Sequence, residues 1–235
     1  MKMLQIIKKT RFAVMYPFVV FMFLEAKTTD TSLALGMIVV CLGELIRWWA
    51  NGFVGHNKVN RTSAEDNQPK IGRLITAGPY RYVRHPLYLG TFLIVAGICV
   101  TASNIYFATV VLAVYLMVYQ HKINQEDELL SDECSSEHAD YKNAVPQWIP
   151  FKVPYSNPNG FWTWEGIKAS KEWKTAIWLG VLFIVLYLRG EWYQEGEFFE
   201  YEMKPLLFLG LIVLLVSADL FMIFRKKRNL RPLTP

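Results

Sequence analysis

Charge is scarce in this chain. Asp, Glu, Lys and Arg make up 19% of its 235 residues, against roughly a quarter in a soluble domain. Cysteine is scarcer, with Cys41 and Cys99 in apolar stretches and Cys134 in a polar one. That distribution implies no disulfide framework, and no metal-ligand spacing occurs among Cys and His. Internal repeats and low-complexity linkers are also lacking. What is abundant is apolar: 53% hydrophobic and 15% aromatic residues, collected in blocks with the charges between them. Such blocks exclude a disordered chain, a disulfide scaffold and a conventional nucleic-acid binder, in spite of a formal charge of +5. They predict an all-α polytopic membrane bundle.

Six apolar runs stand out: Phe12 to Ala26, Ser32 to Ala50, Leu87 to Thr101, Ile105 to His121, Thr175 to Leu188 and Pro205 to Phe224. A helix needs about 20 residues, and at least about 17, to cross a bilayer core. The second, fourth and sixth runs suffice as they stand. The others need flanking residues such as Tyr88, Trp173, Lys174 and Trp178 to reach both interfaces. The first run follows a Lys-rich start, as a signal peptide does. Leu24-Glu25-Ala26 makes no small-x-small cleavage site, so this run is expected to be a signal anchor.

Charge placement supports six spans independently. With the N-terminus in the cytoplasm, 22 of the 25 Lys and Arg residues fall inside and only Lys27, Arg189 and Lys204 outside. This is the positive-inside asymmetry, and both termini are expected to be cytoplasmic. Glu44, with Arg47 one turn further on, is expected to form an ion pair within its helix. Asp219 is expected to snorkel or to pack between helices near the inner face. Phe161-Trp162-Thr163-Trp164, with Ile167 and Trp173, reads as an interfacial helix.

Two inner segments, Asn51 to Pro86 and Lys122 to Lys174, are too long to be connectors. The first ends in Gly72-Arg73-Leu74-Ile75-Thr76-Ala77-Gly78-Pro79-Tyr80-Arg81-Tyr82-Val83-Arg84-His85-Pro86-Leu87-Tyr88-Leu89-Gly90. Gly78-Pro79 signals a turn, and Pro86 pushes His85 toward extended backbone while being tolerated in the first turn of the next helix. Arg84 and His85 are thereby presented at a helix N-terminus, where an anionic group such as a carboxylate is favoured. The plainer alternative is that Arg81 and Arg84 only mark the inner face.

The string Arg84-His85-Pro86-Leu87-Tyr88-Leu89-Gly90 resembles the R-H-P-x-Y-x-G signature of the integral membrane methyltransferases that include isoprenylcysteine carboxyl methyltransferase and, more distantly, the phospholipid methyltransferases. Leu74 to Val83 looks like that family's approach to the signature. A second family element, an acidic pair followed by an E-x-Y-x-x-Y stretch and Pro, is matched by Glu126-Asp127, then Glu137-His138-Ala139-Asp140-Tyr141 and Val145-Pro146. The chain departs from the pattern at Asp127, where the family has Glu and Glu128 is an alternative, and at His138, where the family has Tyr.

The resemblance implies S-adenosylmethionine as methyl donor. The resemblance covers roughly Ile71 to Phe151 and implies a methyltransferase core over 56–155, while the apolar runs place an N-terminal transmembrane hairpin over residues 1–55 and an interfacial helix with a C-terminal hairpin over 156–235. The cofactor-binding residues it implies are Arg84, His85, Pro86, Tyr88, Leu89, Gly90, Glu126 and Asp127, with no metal. Arg84 and His85 would hold the cofactor carboxylate, and Glu126 and Asp127 its ribose or amine. Tyr88 would pack on it, and Gly90 would clear space for the cofactor or for a neighbouring helix. His85 and Glu126 are the catalytic candidates, since an amine or thiol acceptor must lose a proton and a carboxylate need not. The expected acceptor is a lipid, a prenylcysteine carboxylate or another lipophilic compound reached through the membrane at its cytoplasmic face. The alternatives are an NADPH-dependent reductase of the sterol type and a non-catalytic membrane scaffold.

Overall fold

The computed structural model describes residues 26–54, 61–62, 69–70, 74–133, 135–195, 210 and 217. The expected first span, apart from Ala26, lies outside these residues. So do the expected sixth span, apart from Gly210 and Ser217, and Asp219. The described chain is helical: α1 (Asp30–Val54), α2 (Pro86–Ala102), α3 (Ile105–Glu133), α4 (Ser135–Ala144), α5 (Trp164–Ser170) and α6 (Glu172–Glu195). A 3-10 turn spans Gly78–Arg81, and β1 (Arg61–Thr62) pairs antiparallel with β2 (Pro69–Lys70) over two residues each.

Among the described residues three helical stretches are long and apolar enough to cross a membrane, namely Asp30–Val54, Ile105–Glu128 and Glu172–Glu191, and α2 is a shorter apolar helix. The chain is an integral membrane protein. Its helices outrun their apolar runs. The run ending at Leu188 belongs to a helix of 24 residues, or about 36 Å at 1.5 Å per residue. The run ending at His121 belongs to one of 29. Nothing between Lys122 and Glu133 breaks a helix: that stretch has no Gly and no Pro, so α3 continues as a polar rod beyond its apolar part.

The chain divides into two compact units, one comprising Ala34–Val100 and Asn104–Glu172, the other comprising Met1–Leu33, Thr101–Ser103 and Trp173–Pro235. Within the first, α1 and α2 run antiparallel and touch through glycines. A Cβ on Gly43 would lie 2.6 Å from the Gly90 carbonyl oxygen, and one on Gly97 would lie 2.6 Å from that of Gly36. Gly36 and Gly43, like Gly90 and Gly97, are seven residues apart, about two helical turns, so each pair shares one face. Close backbone approach of this kind is how helices gain packing contacts inside a bilayer, where apolar side chains have no water to escape.

Arg47 links α1 to two neighbours. Its guanidinium holds Glu172 through bonds of 2.8, 2.9 and 3.1 Å and bonds the Thr91 hydroxyl on α2. Asn51 adds a bond of 2.8 Å to the same carboxylate. The ion pair expected between Glu44 and Arg47 is therefore replaced: Arg47 turns to Glu172, and Glu44 accepts from the Trp48 indole at 3.1 Å. Glu172 is buried, so a bidentate partner is what makes its burial tolerable. The aromatic stretch expected at an interface contains α5, capped by Thr163, with Gly166 packed on the Asn51 and Gly52 carbonyls. Phe161 and Trp164 stay exposed.

In the second unit, the Lys27 amide donates to Ala102 at 3.0 Å and the Ser32 hydroxyl to Thr101 at 3.2 Å. Phe183 and Leu186 are buried there.

The glycine contacts give a paired prediction. Gly97→Ala should destabilise the protein in detergent by about 1–3 kcal/mol, because the new methyl meets backbone. Gly180→Ala, with nothing within 4 Å of its added Cβ, should be neutral or stabilising by up to about 1 kcal/mol. Equal melting temperatures for the two variants would contradict the close approach.

Candidate active site

The approach to α2 is held on both sides of its turn. Gly78 adopts φ +62, a left-handed conformation that favours glycine, and a Cβ there would strike the Phe53 ring. The turn that follows buries Pro79 and Tyr80. The returning chain after α4 then straps this segment. The Arg84 amide donates to Pro146 at 2.9 Å, the Tyr155 amide to Arg81 at 3.1 Å, and the Thr76 amide to Asn159 at 3.0 Å. Side chains repeat the pattern: Arg81 Nε donates to the Tyr155 carbonyl at 2.9 Å and the Tyr141 hydroxyl to the Tyr80 carbonyl at 2.7 Å. Burial holds the Tyr80 and Tyr141 hydroxyls well above the ordinary phenol value, so both remain protonated at neutral pH.

At the end of this segment the His85 carbonyl accepts the amides of Tyr88 and Leu89 at 3.1 and 3.0 Å. His85 thus stands at the entry to α2, as its place before Pro86 predicts. The polar extension of α3 carries Glu126 and Asp127 to the same spot. Arg84 is ion-paired with Asp127 through Nη1. The His85 ring lies between two carboxylates, with Nε2 3.3 Å from Asp127 Oδ1 and Nδ1 3.7 Å from Glu126 Oε2. The Tyr88 hydroxyl donates to Glu126. The Tyr115 hydroxyl fastens α3 to the Tyr88 carbonyl at 2.7 Å. Two motifs some forty residues apart in sequence therefore form one cluster.

The remaining expected residues divide. Tyr88 stacks on His85 with ring centroids 5.7 Å apart and meets Tyr119 edge-on at 5.1 Å. Lys122 Nζ lies 5.0 Å from its ring centre. Gly90 faces Gly43 and the Arg47 side chain, so the neighbouring helix explains it. Pro86 is buried in the first turn of α2, and Leu89, half-buried, does not line the cavity. Of the two acidic candidates for the second family carboxylate, Asp127 is buried in the cluster while Glu128 is exposed.

Sequence reasoning missed two members of the site. His138, noted only as a departure from a motif, is 2% exposed, with Nε2 3.9 Å from Asp127 Oδ1. Lys142 Nζ lies 3.7 Å from Asp127 Oδ2. Their spacing of four residues on α4 would have placed both on one helix face. The cluster borders a cavity of about 300 Å³ whose wall includes Arg84, His85, Tyr88, Glu126, Asp127 and His138. Two buried polar atoms on that wall, Arg84 Nε and His138 Nε2, have no hydrogen-bond partner among the described residues.

Taken together, the fold and this site define an integral membrane protein with a cavity walled by paired acidic and basic side chains at the entry to one apolar helix. Residues 34–132, which contain most of α1, all of α2, Arg84 to Gly90 and Glu126-Asp127, match the model of the isoprenylcysteine carboxyl methyltransferase family. A protein-S-isoprenylcysteine O-methyltransferase of Saccharomyces cerevisiae is 29% identical over 137 residues, 56% of each chain. One from Mus musculus is 29% identical over 127 residues, 54% of this chain and 44% of its own. A nickel-cobalt-cadmium resistance protein of Alcaligenes xylosoxydans xylosoxydans is 30% identical over 118 residues, 50% of this chain and 49% of its own. The chain thus spans about half the length of the curated relatives it matches. Among the described residues no three or more of His, Cys, Asp and Glu are grouped to hold a metal ion.

His138 yields a pH prediction. Burial depresses its pKa below the ordinary imidazole value of 6.5, against the opposing pull of the Asp127 carboxylate. A depressed folded-state value means that its contribution to stability is complete above about pH 6.5 and is lost as pH falls through the folded value. Melting temperatures in detergent from pH 7.5 to 5 should therefore fall more steeply for the parent than for His138→Gln. Parallel curves would contradict a neutral buried imidazole.

Proposed function

We propose that the chain is an integral membrane methyltransferase that uses S-adenosylmethionine, with six spans, both termini in the cytoplasm and its active site at the cytoplasmic face. The acceptor is a lipophilic small molecule or lipid. The observation that carries this reading is the convergence of Arg84 and His85 with Glu126 and Asp127 on one cavity wall.

The residues present fit the cofactor. Its carboxylate needs cationic and N–H donors, and Arg84 has a buried Nε without a partner. Its amine and ribose hydroxyls need acceptors, and Glu126, Asp127 and the bare His138 Nε2 supply them. A cavity of about 300 Å³ is at the lower end of the range for small-molecule sites. Arg84 and His85 would hold the carboxylate end, while the Tyr88 ring, itself fixed by His85, Tyr119 and Glu126, forms a wall.

When bound, S-adenosylmethionine supplies a methyl group on a sulfonium, whose carbon–sulfur bond breaks as the acceptor's lone pair forms the new bond. The protein has to align the partners and exclude water, which the closely packed tyrosines around Tyr88 assist. An isoprenylcysteine, the group named for the yeast and mouse relatives, would offer its carboxylate, an anion that needs no base. For an amine or thiol acceptor, Glu126 or His85 would take the proton. The apolar acceptor enters sideways between helices, and the exposed Phe151, Phe161 and Trp164 suit the membrane interface beside that route.

Titration calorimetry in detergent tests the reading. S-adenosylhomocysteine should bind the parent, and His85→Ala and Glu126→Ala should each weaken it roughly tenfold or more, as expected for loss of a hydrogen bond involving a charged group. Absence of binding to the parent, or unchanged affinity in both variants, would contradict it.

A further inference from the structure

His138 stands where the family pattern has Tyr, and its two ring nitrogens are in different situations. Nδ1 lies 3.1 Å from the Ser131 hydroxyl. That hydroxyl also lies 2.7 Å from the Asp127 carbonyl oxygen, which can only accept. A hydroxyl has one proton, so it donates to the carbonyl and accepts from His138. Both contacts coexist only with a proton on Nδ1. In the neutral ring Nε2 is then a bare acceptor.

This acceptor is buried, borders the cavity and has no hydrogen-bond partner among the described residues. Its neighbour at 3.9 Å is Asp127 Oδ1, a second acceptor. Burial favours the neutral ring; Lys142, Arg84 and His85 favour it too, and only Asp127 opposes it. Asp127 Oδ1 already faces His85 Nε2 at 3.3 Å, whereas His138 Nε2 beside it has no donor among the described residues. Leaving a buried polar atom unsatisfied is costly, and a ligand with a donor at this place removes that cost.

We propose that His138 Nε2 and Asp127 Oδ1 together receive hydrogen-bond donors of the bound S-adenosyl ligand, making His138 a ligand-binding residue. The donors are either two of the N–H groups of its ammonium or its two vicinal ribose hydroxyls, one for each acceptor. This rests on the cofactor reading above and adds a residue that the resemblance does not supply.

The test is titration calorimetry of the full chain in detergent with S-adenosylhomocysteine and with 5′-methylthioadenosine, which keeps the ribose and lacks the amino acid. His138→Ala and His138→Phe should weaken S-adenosylhomocysteine about three- to tenfold, the usual worth of one neutral hydrogen bond. His138→Gln, whose amide oxygen is an acceptor near the place of Nε2, should recover most of the loss. A parallel loss with methylthioadenosine assigns the ribose hydroxyls, and a loss confined to S-adenosylhomocysteine assigns the amine. Parent-like affinity in His138→Ala and His138→Phe would overturn this inference alone. Failure of the parent to bind S-adenosylhomocysteine would overturn the cofactor reading and this inference together.

Discussion

The buried carboxylate of Asp127 is the point on which the site is assembled. It rides on the polar extension of α3, accepts from Arg84 and His85 at the entry to α2, and has His138 and Lys142 of α4 within ion-pair distance. Three stretches of chain are thereby held to one group. Such a cluster is a poor source of net stability, because desolvating the charges offsets their attraction. Its strength lies in the penalty for breaking it: removing one partner of a buried pair costs about 3–5 kcal/mol. Arg84, with little exposed side chain, is held to it by an ion pair. The carboxylate thus fixes geometry more than it adds stability, and fixed geometry is what the proposed methyl transfer would demand.

The supporting layers serve the same end. Glycine contacts bring α1 and α2 close, Arg47 ties them to Glu172, and the strap after α4 clamps the turn before Arg84. Each bond is worth about 1 kcal/mol net, but together they leave His85 little freedom. The Tyr88, Tyr115 and Tyr119 rings then close the wall between α2 and α3. Rigid helices set the site and irregular chain only braces it, an arrangement suited to a reaction beside a fluid bilayer.

Much of this was legible in the sequence, and the failures share a cause. Apolar runs locate helices because burial in lipid is local in sequence, so α2 and the apolar part of α3 begin within a residue of expectation. Hydropathy is blind to a polar continuation, so the reach of α3 to Glu133, which delivers Glu126 and Asp127, was invisible to it. The motif strings named the right residues to meet, and the meeting occurs. Partners remote in sequence carry no local signal: Arg47 looked committed to Glu44 until Glu172, more than a hundred residues on, took its guanidinium. His138 was legible only as an anomaly. Its meaning depends on Ser131 and Asp127, which α3 brings beside it.

The central claim is that the two motifs form one S-adenosyl site around Asp127. An experimental structure of the protein saturated with S-adenosylhomocysteine tests it most directly. The account predicts ligand density in the cavity, with its carboxylate toward Arg84 and His85 and its donors within hydrogen-bond distance of Glu126, Asp127 and His138. A ligand bound elsewhere on the chain, with the Arg84, Asp127 and His138 cluster empty and unchanged, would contradict it.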